Sequence, residues 1–263
     1  MRDRYRRHLP GIFFIAAALC AVTGLWQLSK SRTLQLCGEL VSHVETTAPM
    51  VALTFDDGPA PAYLDDVLDA LRAHEARATF FLTGREVEAR PQLARRLLAE
   101  GHELGNHSYT HSRLVLRSPD FVADQLTRTD RALRQVGQEG EIWFRPPYGK
   151  KLLVLPWLLR RAQRPTVMWD LAPDDDPRRS AEEIARRALD EMRPGSIVLM
   201  HVMYRRRQTS RDALPMILAG MQRRGLRAVT VSELLGHRET DGGLTIHHSC
   251  ARAPLGAVPF TRR

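Results

Sequence analysis

Apolar and polar residues alternate along this chain in blocks that predict strands followed by helices. Short apolar runs rich in β-branched and aromatic residues, each stopped by turn residues, are typical of buried strands. Seven segments fit this pattern: 51–55, 78–82, 103–107, 142–145, 166–170, 196–201 and 226–231. The first segment runs directly into Asp56 and Asp57 and then into Gly58 and Pro59, which predict a turn.

Amphipathic patterns lie between these segments. Leucine and valine recur at positions 64, 67, 68 and 71, which is the spacing of one helix face, and a similar pattern follows Pro91. Ser180 and Glu183 have the spacing of a capping box at a helix start. A further helix is predicted over 211–224, before Gly225. This alternation predicts an α/β protein whose parallel strands form a barrel or an open sheet covered by helices.

The amino-terminal segment has the charge pattern of a membrane anchor. Four arginines within residues 1–8 precede an uncharged run at 9–29, which is long enough to cross a bilayer as a helix and ends near Trp26. The arginines favour a cytoplasmic amino terminus. We therefore predict a single-pass protein of the inner membrane with residues 30–263 outside the cytoplasm. Cleavage of the segment, giving a secreted protein, and an ordinary buried helix are the alternatives.

Composition supports one large domain. The chain has 263 residues, of which 43% are hydrophobic. We divide it into a linker or edge strand at 30–49, a globular domain at 50–236 and a carboxy-terminal extension at 237–263. The net charge is +9, but residues 1–32 carry +5 of it, so we expect no nucleic-acid partner. Three cysteines build no disulfide framework, although Cys37 and Cys250 could pair in an oxidising compartment.

Polar residues follow the ends of most predicted strands. Because the carboxyl ends of parallel strands in a barrel share one rim, residues far apart in sequence converge there. Besides Asp56 and Asp57, the set consists of His107, His111, Arg145, Asp170 and His201. The sequence therefore predicts one polar site at this rim. The alternative is that the two aspartates only form a turn.

The histidine spacing suggests a metal site. His107 and His111 are four residues apart, which would place both imidazoles on one side of a helical turn. The alternative is that the two histidines have this spacing by chance. A third ligand would be needed to indicate a metal site, and Asp57 would supply it. Two histidines and a carboxylate leave a coordination position open for water. An arginine at 145 would keep Asp56 ionised, and His201 is either an acid–base group or a buried core histidine.

Five short motifs resemble those of a known family. TFDDGP at 54–59, HSYTH at 107–111, RPPY at 145–148, WD at 169–170 and IVLMH at 197–201 occur in the order seen in the polysaccharide deacetylases, the NodB-like family 4 of carbohydrate esterases. The resemblance covers residues 50–236. It implies a distorted (β/α)7 barrel, preceded here by the predicted transmembrane helix, and an enzyme that removes N-acetyl groups from polysaccharides.

The resemblance also implies a role for each matching residue. Asp57, His107 and His111 would bind a divalent metal, with Zn²⁺ expected and Co²⁺, Mn²⁺ and Ni²⁺ as alternatives. Asp56 would act as general base and His201 as general acid. Arg145 would orient Asp56, and the backbone N–H of Tyr148 would stabilise the oxyanion. The residues implied in substrate binding are Pro147, Tyr148, Trp169 and Leu199.

Two positions depart from the family pattern. Ala172 stands where many relatives carry a carboxylate that tunes the catalytic histidine, and Val202 stands where aspartate is frequent. The aspartates at 174–176 follow closely and are possible substitutes. Arginines at 205–207 and Arg211 lie near His201, where they either steer an acidic polymer or belong to a solvated loop.

We therefore predict a metal-dependent N-deacetylase acting on an N-acetylglucosamine-containing glycan, such as a chitooligosaccharide, peptidoglycan or an exopolysaccharide. Two alternatives are open. One is an amidase of the same superfamily that cleaves a small non-peptide C–N bond. The other is a membrane-anchored glycan-binding protein with weak or no turnover, which Ala172 favours. The sequence indicates no protein partner.

Overall fold

The structure is a computed structural model that describes the backbone of residues 2–238 and the side chains of residues 16–238. Nearly all of the predicted carboxy-terminal extension, including Cys250, lies outside the described residues. The alternative in which Cys37 pairs with Cys250 is therefore untested.

Within the described part of the chain, seven short strands form the centre of the fold. They are β1 (Leu40–Val41), β2 (Met50–Asp56), β3 (Thr79–Leu82), β4 (Glu103–Asn106), β5 (Thr166–Val167), β6 (Ile197–Met200) and β7 (Arg227–Val229). Strand β2 is buried along its whole length, as its apolar sequence predicts, and pairs in parallel with β3, β6 and β7. Strand β4 pairs with β3, and β1 pairs with β5, also in parallel.

Single bridges connect these strands into a broken barrel. Phe144 bridges Asn106 of β4 on one side and Thr166 of β5 on the other, and Leu171 bridges Val198 of β6. The strand predicted at 142–145 is thus reduced to one bridging residue. The prolines that follow Arg145 have no amide N–H to extend the ladder, and the chain turns there. The α/β class is confirmed, with parallel strands and helices outside them.

The helices are α1 (Arg2–Lys30), α2 (Pro61–Ala73), α3 (Gly84–Ala89), α4 (Pro91–Ala99), α5 (Pro119–Gln135), α6 (Val154–Arg161), α7 (Ala181–Glu191), α8 (Gln208–Arg223) and α9 (Val231–Leu235). The leucine and valine face predicted for α2 is buried. The capping box at α7 is present in both directions between Ser180 and Glu183. Helices α3, α5, α6 and α9 were not predicted.

The predicted anchor coincides with most of α1. Within residues 16–238, no helix combines the length and the apolar character that crossing a membrane requires. Residues 9–15 of the predicted span lie outside the described side chains. The anchor stays a prediction.

The carboxyl end of α1 is held against the domain. Ser29 is buried, and its carbonyl accepts a hydrogen bond of 2.8 Å from the backbone N–H of Lys151. The buried Lys151 ammonium donates to the carbonyl of Ser31. Residues 29–32 are therefore fixed beside the loop at 147–151.

Candidate active site

The alternation of β2 places Thr54 and Asp56 on the same face of the strand. Arg145 reaches both of them from the loop after the Phe144 bridge. Its Nη1 donates to Thr54 Oγ1 at 2.7 Å and to Asp56 Oδ1 at 2.8 Å. The remaining nitrogens donate to the carbonyls of Val167 and Met168, so the guanidinium is completely buried without losing its partners.

Asp56 is a buried carboxylate whose charge is compensated. Burial by itself raises the pKa of Asp56, but the Arg145 guanidinium, with smaller contributions from His107 and His201, outweighs burial and holds that pKa below its usual value. Oδ1 is bound to Arg145, while Oδ2 lies 3.6 Å from His107 Nε2. Asp56 therefore stays ionised and keeps one oxygen directed toward the histidines.

Asp57, His107 and His111 form the cluster that suits a metal ion. One ligand atom of each lies within 4.8 Å of the others. Asp57 Oδ1 is 3.3 Å from His111 Nε2 and 4.0 Å from His107 Nε2. It is also buried, and no described residue donates a hydrogen bond to it. A buried carboxylate oxygen without a donor, facing two imidazole nitrogens, fits a divalent cation.

A second contact orients His107 for this task. Its Nδ1 lies 2.9 Å from the backbone carbonyl of Arg145, which can only accept a hydrogen bond. This contact assigns the ring proton to Nδ1 and leaves the lone pair of Nε2 facing the cluster. Backbone carbonyls commonly orient metal-binding histidines in this way. The residues present therefore fit the metal that the sequence implied.

The prediction of a helical turn at the histidines was wrong. The segment is a loop in which Ser108 and His111 have φ values of 65° and 57°. Asn106 Oδ1 accepts from the N–H of Ser108 at 2.8 Å, and Ser108 Oγ accepts from the N–H of His111 at 3.1 Å. These side-chain bonds stabilise the tight turn that returns His111 to His107. The i, i+4 spacing found the pair but not the conformation.

His201 follows the end of β6 on the same rim. Its backbone N–H donates to Asp174 Oδ2 at 2.8 Å, and its Nδ1 lies 3.6 Å from Asp174 Oδ1. Asp174 Oδ2 also accepts from Ser210 Oγ at 2.9 Å, and the carboxylate is only 1% exposed. Burial lowers the pKa of His201, but Asp174, followed by Asp56 and Asp57, raises it above the usual value.

Asp174, rather than residue 172, is therefore the carboxylate that contacts His201. Ala172 packs in the apolar cluster that contains Trp169 and Leu199. Of the three consecutive aspartates, Asp175 pairs with Arg179 and Arg187, and Asp176 pairs with Arg178. Only Asp174 turns inward to His201.

Asp170 does not lie at the active rim, and that prediction was wrong. Its Oδ2 is 3.1 Å from His43 Nδ1 and accepts from Ser196 Oγ at 2.9 Å, while Oδ1 accepts from the N–H of Ile197. Ser196 and Ile197 begin β6, whereas His201 follows its end. Strand β5 ends at Val167, before the chain reaches Asp170, so counting Asp170 as a strand end misplaced it.

The loop after Arg145 forms the other wall of the site. Tyr148 lies in a 3₁₀ turn at Pro147–Gly149 with a φ of 59°, and its half-exposed ring is 4.7 Å from the ring of His111. Pro147 is buried beneath it. A Cβ at Gly149 would lie 2.9 Å from the Trp169 ring, so only glycine allows this close approach. Trp169 Nε1 is buried and has no hydrogen-bond partner among the described residues.

Arg211 is not available to a polymer. It is buried, its Nη1 donates to the carbonyls of Val202 and Tyr204, and its guanidinium stacks on Tyr63. The suggested steering role of this arginine was therefore wrong. It supports the loop that follows His201.

Two contacts at the site were not predicted. Thr54 accepts from Arg145 and donates to the carbonyl of Val198 at 2.6 Å. The alternation of β2 could have indicated it, because a polar residue two positions before Asp56 must share its buried face. Arg32, from the predicted linker, lies over the Trp169 ring at 5.2 Å. No local pattern relates Arg32 to that tryptophan.

Fold and site together define an α/β barrel protein with a candidate metal site beside an aspartate–arginine pair and a histidine–aspartate pair. The sequence profile of the family described as polysaccharide deacetylase matches residues 43–164. The chain is 40% identical to a chitooligosaccharide deacetylase of Sinorhizobium fredii over 59% of its own length and 73% of the relative. This chain belongs to the polysaccharide deacetylase family.

Other relatives are longer. The chain is 34% identical to the peptidoglycan-N-acetylmuramic acid deacetylase PdaC of Bacillus subtilis over 73% of its own length, but it spans only 40% of that protein.

Solved structures agree with the fold. A peptidoglycan N-acetylglucosamine deacetylase, Bc1960, superimposes with a TM-score of 0.70 and 31% identity over 75% of this chain and 94% of that chain. BA3943 of Bacillus anthracis, named a CE4 family pseudoenzyme, has a TM-score of 0.68 and 29% identity over 79% of this chain and 72% of that chain.

Proposed function

We propose that this protein is an N-deacetylase that hydrolyses acetamido groups of an N-acetylated glycan. The observation that carries the proposal is the meeting, on one barrel rim, of three groups of residues. These are the Asp57–His107–His111 cluster, the ionised Asp56 held by Arg145, and His201 held by Asp174. Hydrolysis of an amide needs an electrophilic centre, a base and an acid, and the three groups correspond to these needs.

Asp57, His107 and His111 would hold the divalent metal. When bound, the metal supplies a Lewis acid for the acetyl carbonyl and makes water more acidic. The identity of the ion, with zinc first among the candidates, is part of the proposal.

Asp56 acts as the base in this proposal. Its Oδ2 is free of Arg145 and takes a proton from the attacking water, whose oxygen bonds to the acetyl carbon. Arg145 fixes Oδ1, so the carboxylate cannot rotate away, and its charge keeps Asp56 deprotonated before the step.

His201 acts as the acid. Its raised pKa favours the protonated imidazole, which delivers a proton to the sugar nitrogen as the C–N bond breaks. Acetate and a free amine result. The backbone N–H of Tyr148 is the proposed oxyanion donor, and Pro147, Trp169 and Leu199 form the wall on which the acetyl group rests.

A second function has support from one comparison and one substitution. The structural neighbour BA3943 is named a pseudoenzyme, and this chain has Ala172 where the family resemblance implies a carboxylate. A glycan-binding protein without turnover would keep the cluster and lose the acid step. The inward placement of Asp174 favours the enzyme over this alternative.

Acetate release by the full-length protein tests the proposal. The substrates are chitooligosaccharides, peptidoglycan fragments and an N-acetylated exopolysaccharide, each with added zinc or cobalt and with a chelator. We expect metal-dependent acetate release, and we expect Asp56→Asn to lower the rate by about 10²- to 10⁴-fold, the usual contribution of a general base.

The exposed Asp66→Ala is the matched control and should behave as wild type. If no glycan yields acetate while Asp56→Asn still binds glycan, the protein is a binding protein. Turnover of a small amide alone would favour the amidase.

The location is also a proposal. We propose that the protein acts outside the cytoplasm and is tethered to the inner membrane by residues 9–29. The support is the group of four arginines before an uncharged run. Protease protection in intact spheroplasts tests it, because residues 33–238 should be digested without lysis.

A further inference from the structure

Four basic side chains lie on or beside the loops that build the proposed active site. We call Lys30, Arg32, Arg113 and Lys150 the basic rim. Each lies over an aromatic ring: Arg32 over Trp169 at 5.2 Å, Arg113 over Tyr148 at 5.1 Å, and Lys150 and Lys30 over Trp26 at 3.9 Å and 5.9 Å. The Tyr148 ring lies 4.7 Å from the ring of His111, and the Trp169 ring lies below the Arg145 guanidinium at 5.5 Å.

The rim has no counter-charge of its own. None of its four members forms an ion pair within the part of the chain that the structure describes. Arg72, Arg96 and Arg187, elsewhere on the domain, each pair with a carboxylate. Burial, with smaller contributions from the positive charges of Arg113 and Lys30, lowers the pKa of Lys150. Like charges held together without an anion are costly and suit an anionic ligand.

The rim is held in place by the structure around it. The bond from the Lys151 N–H to Ser29 and the Lys151 ammonium at Ser31 fix the backbone on either side of Lys30 and just before Arg32. The Lys151 ammonium is buried and bonded to the Ser31 carbonyl, so this lysine serves the loop contact rather than the rim. Arg113 is two residues beyond His111. The positions of the cations relative to the cluster are therefore set by the same loops that build it.

We propose that the basic rim selects a glycan that carries carboxylates next to the acetamido sugar being hydrolysed. This inference rests on the proposed function. A neutral oligosaccharide would stack on the exposed Tyr148 ring without using the cations, whereas carboxylates on neighbouring sugars would pair with them. Arg113, which lies over the same ring, places a cation beside a surface that suits a sugar face.

Two kinds of carboxylate offer the same chemistry: those of uronic acids and those of lactyl ethers. The test therefore uses three oligosaccharides of equal length. One alternates N-acetylglucosamine with N-acetylmuramic acid, one alternates it with glucuronic acid, and one is neutral N-acetylglucosamine. The two acidic oligosaccharides are also prepared with their carboxylates amidated.

We expect the full-length protein to favour one acidic oligosaccharide over its amidated form by about tenfold in kcat/KM at low salt. Two screened charge pairs together account for that factor. The difference should appear mainly in KM and shrink at high salt. The double substitution Arg113→Gln and Lys150→Gln should remove most of it. Arg186→Gln, an exposed arginine on α7, is the matched control and should leave the preference intact.

Affinity separates this inference from the proposed function. Calorimetric titration of Asp56→Asn with the same oligosaccharides measures selection without turnover. If the protein binds carboxylate-bearing glycans preferentially but releases acetate from no substrate, the proposed deacetylase activity is refuted and the proposed role of the basic rim is supported. If the protein releases acetate but binds acidic and amidated glycans equally well, the proposal that the basic rim selects carboxylates is wrong.

An anionic membrane surface is the competing ligand. Vesicles of phosphatidylcholine, with and without phosphatidylglycerol, are compared for binding of wild type and the double variant. If the double variant loses affinity for anionic vesicles and keeps its carboxylate preference, the rim faces lipid and the inference is wrong.

Discussion

The two halves of the candidate site are built in different ways. The half that holds Asp56 and the metal cluster is organised around the end of β2, where Arg145 is completely buried and has a partner for each of its nitrogens. The half that holds His201 depends on Asp174, which comes from the irregular segment between β5 and α7. A strand end fixes the first half, and a loop supplies the second.

This difference explains where the sequence can vary. A residue such as Asp56 cannot move along β2, because a shift of one position would turn its side chain to the opposite face. A loop residue has no such register. In this loop, Asp174 directs one acceptor oxygen to both the His201 N–H and Ser210 Oγ. We infer that the strand half is the more sensitive to substitution of its ionised and metal-binding side chains.

The largest effect is expected from breaking the strand half at its metal ligand. Asp57→Ala removes the buried oxygen that faces both histidines. Loss of a residue that only orients a ligand costs about 10- to 100-fold in metal affinity, so loss of a ligand should cost at least about 100-fold. Acetate release should fall to the level seen with chelator.

Calorimetric titration with Zn²⁺ measures this affinity apart from activity. Asp66→Ala, on the exposed face of α2, keeps the cluster and should keep wild-type affinity. If Asp57→Ala binds zinc as tightly as wild type, the metal site is elsewhere.

A smaller effect is expected in the loop half. Asp174→Asn keeps an acceptor for the His201 N–H and Ser210 but removes the negative charge. His201 has a raised pKa because of that charge, and it must be protonated to act as acid. Without the charge its pKa falls, so the alkaline limb of the kcat/KM profile should move to lower pH. At neutral pH the rate should drop by at most about 100-fold.

The neighbouring Asp175→Asn is a close control, since Asp175 pairs only with Arg179 and Arg187 on the outside. Its pH profile should match that of wild type. An unshifted alkaline limb in Asp174→Asn would show that Asp174 supports only the loop, and an equal shift in both variants would point to general charge effects.

Regular local patterns made the strand half predictable. The apolar run of β2 located Asp56 and Asp57, and the helix faces and capping box located α2 and α7. These signals depend on residues close in sequence, whose periodicity follows directly from backbone geometry. The family motifs then indicated which side chains meet.

Irregular backbone limited the rest. Sequence spacing suggested a helical turn for His107 and His111, but left-handed residues at Ser108 and His111 build a loop instead. Asp170 was assigned to the rim because β5 was predicted three residues too long. The sequence suggested Asp174 only as one of three adjacent aspartates. Asp174 is the one that turns inward because of its contacts with Ser210 and the His201 backbone, and these tertiary contacts leave no local pattern in the sequence.

The smallest effect on activity is expected from loosening the strand half without changing its charges. Thr54→Val removes the hydroxyl that accepts from Arg145 and donates to the Val198 carbonyl. Both groups are buried, so leaving them without that partner should destabilise the fold by about 1–3 kcal/mol. Arg145 still holds Asp56 directly, and acetate release should therefore fall only a few-fold.

Denaturant unfolding measures the free energy, and Thr127→Val on α5 is the matched control. Its hydroxyl bonds only within its own helix and is partly exposed, so this change should cost well under about 1 kcal/mol. One result would contradict this expectation: Thr54→Val is as stable as Thr127→Val but is as inactive as Asp57→Ala. The Thr54 hydroxyl, rather than Asp56, would then be the group that positions Arg145. In that case the strand half would depend on an uncharged group, the Thr54 hydroxyl. The loop half would still depend on a charge, because the Asp174 carboxylate sets the pKa of His201.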